Sequence, residues 1–188
     1  MAVFARLRNA ISHGTYREGR PIADPRPDLV ERIEWFRSLY LQPPTALGVL
    51  GQMEVRSVTT DEPVSAALEY VRLFDYSQLP VYNSGGYAGI LTTNAIARWL
   101  AAQLARTGGL AEAEPVGHVL AFAEPGERAR HVPRTTTAAD AIHQLSKGGP
   151  EGKPLTALLI TQSGKKTETP LAVVVDDDLP ALVAALTQ

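Results

Sequence analysis

Apolar positions recur at two spacings along the chain, and the changes of spacing mark its elements. In "DLVERIEWFRSLYL", Leu29, Ile33, Phe36 and Tyr40 keep helical spacing, so a helix is expected from Asp28. Asp28 followed by Glu31 resembles a capping box, and "QPP" at Gln42–Pro44 ends the helix. "EVRSVTTD" (54–61) alternates well enough for a strand. "EPVSAALEYVRLF" (62–74) returns to helical spacing, with Pro63 early in the helix and Val64, Leu68 and Val71 on one face. The strands "QLPVY" and "YAGIL" then flank the turn "NSGG", and the helix "TNAIARWLAAQLA" follows at once. The local order is β-α-β-β-α.

That order recurs. "ARHVPRTT" reads as a strand, "TAADAIHQLSK" as a helix, and "TALLIT" and "LAVVV" as strands around the polar turn "QSGKKTETP". "DDLPALVAALTQ" closes the chain as a helix. At an offset of roughly 74 residues Val58 falls on Val132, Thr60 on Arg134 and Leu68 on Ile142, without a gap. One such unit has a small sheet with helices on one face and leaves the other face bare. Two units packed sheet to sheet share a core.

Composition narrows the function classes. A chain of 188 residues suits one compact domain or two small ones sharing a core. A net charge of -2 carries no global signal for nucleic acid. No apolar run reaches the length of a membrane span. The basic N-terminus lacks the apolar stretch and cleavage site of a secretory signal, and "HGTYREGRPIADPRP" (13–27) reads as an extended or mobile arm. There are no cysteines, which excludes disulfides, thiolate zinc sites and Cys nucleophiles and fits a cytoplasmic protein.

Through "QLPVYNSGGYAGILTTNAI" above all, the chain resembles a tandem pair of CBS domains (named after cystathionine β-synthase), the Bateman module, over about residues 45–188. The features are a Leu-Pro-Val strand, a polar turn, a Gly-Ile-hydrophobic-Thr strand end and a helix directly after it. The second repeat is looser, with Leu158 at the Pro position, Ala172 for the Gly and Val175 for the Thr. The resemblance implies an α/β (α+β) fold of two pseudo-twofold related β-α-β-β-α repeats packed sheet to sheet, with an extra N-terminal helical segment. Residues 1–44 form the arm and helix, 45–108 the first repeat and 109–188 the second.

CBS pairs typically bind adenine-containing ligands between their repeats. In the family a hydroxyl at the strand end contacts phosphate, and an Asp three residues later holds the ribose hydroxyls. The first repeat keeps Thr92 but has Ala95 at the Asp position, with Asn94 beside it. The second keeps Asp178 but has lost the Thr. The resemblance thus implies ligand contacts from Thr60, Ser77, Thr92, Thr93, Asn94, Arg130, Arg134, Thr135 and Asp178, with Arg56 close to the same clefts. Elementary physics agrees with a phosphate there: a helix N-terminus offers unpaired N–H groups and partial positive charge, and Arg grips phosphate bidentately.

Each feature also has a plain structural role. Thr92, Thr93 and Asn94 are ordinary helix caps, Asp176–Asp178 suit a helix start, and Arg134 with Thr135–Thr137 suits a solvated strand end. "SGKKT" (163–167) lacks P-loop spacing and falls between two strands, so it reads as a hairpin tip. His13, His118, His131 and His143 show no metal-ligand spacing, and no Ser/His/Asp constellation is readable. Trp35 and Trp99 read as packing residues.

Three functions compete. The first is a stand-alone regulatory module, not an enzyme and with no cofactor, that binds AMP, ADP, ATP or cyclic di-AMP and signals to an unknown effector protein. The second is a ligand-free dimerisation or protein-interaction module, favoured by Ala95 and the degraded second motif. The third is an enzyme, for which no constellation is visible. CBS pairs commonly dimerise through their helices, and Ile96, Leu100 and Leu104 are compatible with a homodimer.

Overall fold

The computed structural model describes residues 5, 6, 8, 26–107, 109, 113–147 and 155–187. The arm expected over 13–27 lies almost wholly outside these residues, as does His13. The chain divides into two compact units, Met1–Pro43 and Pro44–Gln188.

In the first unit, helix α1 (Pro27–Leu41) begins one residue before the expected Asp28. Proline at the first position presets the helical backbone and needs no N–H acceptor. The expected capping box is not formed: Arg26 is the N-cap without a side-chain cap bond, and its guanidinium holds Asp28 at 2.9 Å. The helix buries none of its residues, so the stripe of Leu29, Ile33, Phe36 and Tyr40 is exposed.

The second unit contains α2 (Ala46–Leu50), β1 (Val58–Thr59), α3 (Val64–Phe74), β2 (Gln78–Asn83), β3 (Gly86–Thr92) and α4 (Thr93–Thr107). It continues with α5 (Val116–Leu120), β4 (Ala129–Pro133), α6 (Ala138–Lys147), β5 (Ala157–Thr161), β6 (Ala172–Val174), a 3-10 turn (Asp176–Asp178) and α7 (Leu179–Ala184). The strands form two sheets, ordered β1-β2-β3 and β4-β5-β6. In each, the first pair is parallel and the second antiparallel, so the internal repeat of the sequence is a repeat of topology. All of β5 is buried, as expected of a strand covered on both faces. The sheets meet at Tyr87, which packs edge-on against His131 with ring centroids 4.6 Å apart.

Two strands are shorter than their patterns suggested. Of 54–61 only Val58–Thr59 joins the ladder, and β4 stops at Pro133 instead of running to Thr136. Glu54–Ser57 instead run outside the sheet. Helix α3 starts at Val64 with Pro63 as N-cap and ends on Asp75, whose φ of 53° turns the chain out of the helix. Leu68 lies on its outer, exposed side, not on the buried face with Val64 and Ala67.

The short helices α2 and α5 pack crosswise. Helix α5 precedes the second sheet, yet Val116 and Val119 belong to the core of the first repeat, with Val58, Val64, Leu79, Val81, Leu91 and Trp99. Helix α2 precedes the first sheet, yet Ala46 belongs to the second core, with Val132, Leu145, Leu158, Ile160 and Leu182. Backbone pairs fix the exchange. Ala46 N–H donates to Thr136 and Ala138 N–H to Pro44, while Val64 N–H donates to Glu114 and Val116 N–H to Glu62, at 2.7–2.9 Å. Gly89 lets α5 approach, because a Cβ there would lie 2.9 Å from Leu120. No described helix is long and apolar enough to cross a membrane.

Candidate functional site

Residues at a strand end of each repeat, Ser77 and Gln78 in the first and Val175 and Asp178 in the second, border one cleft. In the first, Gln78 pairs with Thr92, and Thr93 N–H donates to the Ser77 carbonyl at 3.1 Å. Thr92 is buried, and its Oγ1 accepts the Ala95 N–H at 2.9 Å, so it caps the helix that follows. In the second, β6 ends at Val174 and Asp178 Oδ2 accepts the Val175 N–H at 2.9 Å.

A cleft of about 230 Å³ lies between these ends. Ser77 and Asp178 both line it, together with Val55, Arg56, Tyr76 and Val175. Its walls therefore come from the loop before β1, the loop before β2 and the end of β6. Val55, Tyr76 and Val175 supply apolar surface, Arg56 a cation, Ser77 a hydroxyl and Asp178 a carboxylate. The Arg56 guanidinium pairs with Glu54 at 2.7 Å and lies 5.8 Å from the Phe74 ring. Asp75 and Asp177 add negative charge to the rim.

A second, wider cavity of about 620 Å³ is lined by Arg130, with Tyr87, Glu127, Arg128 and Lys166. Arg130 Nη1 also donates to Gln144 at 3.3 Å. Glu127 reaches the Thr92 hydroxyl with Oε1 and the Arg98 guanidinium with Oε2. Neither Glu127 nor Arg98 was singled out from the sequence. The repeat offset carried the signal: the shift that sets Arg56 over Arg130 sets Met53, also on the first cleft, over Glu127.

The other candidates lie elsewhere. Asn94 is exposed in the first turn of α4. Thr60 follows the Thr59–Tyr82 pair, at the opposite end of the first sheet from Ser77, and its carbonyl accepts Gly117 N–H at 2.9 Å. Arg134 and Thr135 follow the Pro133–Thr161 pair, at the opposite end of the second sheet from Asp178. Arg134 is exposed, with Gln162 at 3.5 Å. The cation that faces the Asp178 cleft is thus Arg56.

Between the sheets, burial raises the Tyr82 phenol above its ordinary pKa and the Tyr87 phenol further still. Burial, aided by nearby Lys166, lowers the pKa of His131. The Tyr82 hydroxyl and both His131 ring nitrogens are buried without a hydrogen-bond partner among the described residues. The "SGKKT" turn connects β5 to β6 as expected. It is braced by Glu168, whose pKa falls to about 2, chiefly because the Ser163 hydroxyl and N–H donate to it. Among the described residues no group of three His, Asp or Glu side chains is placed to hold a metal ion.

The CBS domain family profile matches residues 50–102, from the end of α2 into α4. No curated protein sequence matches the chain. Among solved structures, a protein with CBS domains from Burkholderia ambifaria aligns at 18% identity and a TM-score of 0.55, over 77% of this chain and 96% of that one. A candidate archaeal homologue of γ-AMPK from Methanocaldococcus jannaschii aligns at 17% and 0.53, over 76% of this chain and 49% of that one. A hemolysin-like protein containing a CBS domain, from Oenococcus oeni, aligns at 14% and 0.51, over 77% and 93%. At these identities the likeness is one of fold, and it spans both repeats. Residues 50–102 thus match the CBS domain family in sequence, and the second repeat carries the same sheet topology on a diverged sequence.

Proposed function

We propose that this chain is a regulatory module that binds an adenine nucleotide between its repeats and passes its occupancy to a partner protein. The observation that carries the reading is the convergence of Arg56, Ser77 and Asp178 on one cleft. Val55, Tyr76 and Val175 provide apolar walls for a base, Asp178 accepts from ribose hydroxyls, and Arg56 and Ser77 face a phosphate. A cleft of about 230 Å³ takes part of a mononucleotide and leaves the rest at its mouth. Glu54, Asp75 and Asp177, which also line the cleft, favour AMP over ADP or ATP, because each further phosphate brings negative charge toward these carboxylates, while cyclic di-AMP carries a second nucleoside that the cleft does not accommodate. Signalling then follows from the ligand's differential affinity for two states of the module.

Calorimetry with the four ligands tests this reading. AMP binds tightest, and Arg56→Ala weakens it by at most about 1.5–3 kcal/mol, the range for a hydrogen bond to a charged group. The loss shrinks as salt rises, because the guanidinium is partly exposed. The second reading, a ligand-free dimerisation or interaction module, is favoured by Leu73, Phe74 and Leu104, each about half exposed on α3 and α4. A chain that binds none of the four ligands yet dimerises by light scattering fits that reading instead.

A further inference from the structure

Glu127 lies in the segment that connects the two repeats, and it reaches the strand end of the first. Its side chain is only 10% exposed. Oε1 accepts the Thr92 hydroxyl, and Oε2 accepts the Glu124 N–H at 2.6 Å and the Arg98 guanidinium. A hydroxyl, a backbone N–H and a guanidinium beside the start of a 15-residue helix are the donors that an incoming anion needs. Here the chain's own carboxylate takes them. Arg98 also holds the Phe122 carbonyl at 2.8 Å and Glu124 at 3.5 Å, so the carboxylate and the connection from Phe122 to Glu127 form one bonded piece. The cavity of about 620 Å³ opens directly beside it, with Arg128, Arg130 and Lys166 on its walls.

We infer that Glu127 is an internal occupant of the anion position in the first repeat, a latch that an anionic ligand must displace to use that cleft. A phosphate at Thr92 and the Glu127 carboxylate would compete for the same donors, and their like charges exclude each other at contact distance. Displacement would pass Arg98 from the carboxylate to the ligand and release Glu127 within the connection between the repeats, which ties occupancy of this cleft to the geometry of the pair. The resting chain therefore offers one open nucleotide cleft, at Asp178, and one latched. Only the identity of the displacing ligand rests on the adenine-nucleotide reading.

The test needs no nucleotide at its first step. Wild type and Glu127→Ala are melted over a series of inorganic phosphate concentrations at constant ionic strength. The variant leaves Thr92, Arg98 and the Glu124 N–H facing a vacated anion position, so its Tm rises with phosphate more steeply than that of wild type. Adding Arg98→Ala to the variant abolishes the excess over wild type. Equal responses in wild type and variant overturn the latch, and so does an excess that survives loss of Arg98. If Glu127→Ala does not fold, Glu127→Gln keeps the shape and removes the charge. It binds phosphate at least tenfold more tightly than wild type, and equal affinity overturns the latch. AMP titration then separates the two ideas. A Glu127→Ala chain that takes phosphate but not AMP keeps the latch and removes the adenine reading. Wild type binding two AMP per chain does the reverse.

Discussion

Val119→Ala tests the crosswise packing that positions both clefts. Val119 is fully buried in the first core, although it follows α4 and leads toward the second sheet. The substitution removes two buried carbon groups, a transfer loss of about 1.6 kcal/mol. Helix α5 is five residues long and tied down by the Glu62–Val116 and Thr60–Gly117 backbone bonds, so it relaxes poorly into the space left. A residual cavity brings the total to about 2–3 kcal/mol. For a chain of this size each kcal/mol lowers Tm by about 2–4 °C, so a fall of about 4–12 °C is expected in calorimetry. Hydrogen exchange locates the damage. Amides of α3 and α4 lose protection before those of α6, because the missing side chain was part of the first core. Protection lost from α6 alone, or a Tm unchanged within about 1 °C, would refute the crosswise assignment.

Two further outcomes follow from the interior. Ala95→Asp, which restores the family's acidic residue, destabilises the fold by about 3–5 kcal/mol instead of creating a site, because position 95 is fully buried and Glu127 is bonded to the same Thr92 hydroxyl; denaturant melts check this, and a neutral effect contradicts it. His131 has a folded-state pKa below its unfolded value, chiefly through burial and then through Lys166, so its contribution is complete above about pH 6.5 and is lost as pH falls toward the lower folded value. His131→Gln therefore flattens the stability profile below about pH 6.5, read from Tm against pH, and an unchanged slope contradicts the assignment.

The β-α-β-β order was legible because each repeat carries its own change of apolar period and its own turn. The pair was legible because the gapless offset sets strand on strand. Helices α2 and α5, "ALGVL" and "VGHVL", were not, since five residues give no period and each contains a glycine. What holds them is pairing with the opposite repeat, which no local window contains. Asp178 could be read from motif position, and it does share a cleft with Ser77. Thr60 and Arg134 are equivalent in the repeat, but which end of a strand faces a cleft depends on ladder register, and both fall at the far end. Thr92 was legible as a cap. That its hydroxyl also meets a carboxylate 35 positions away depends on how the connection folds back.

Titration of AMP into wild type and Asp178→Asn by calorimetry bears most directly on the nucleotide cleft. The amide oxygen of the substituted side chain can still accept the Val175 N–H, so the variant folds with its turn intact. Wild type binds one AMP per chain. Asp178→Asn weakens it by about 1.5–3 kcal/mol, roughly 10- to 150-fold, through loss of a charged acceptor for the ribose. Absence of AMP binding by wild type, or equal affinity in the two proteins, would contradict a nucleotide held between Arg56, Ser77 and Asp178.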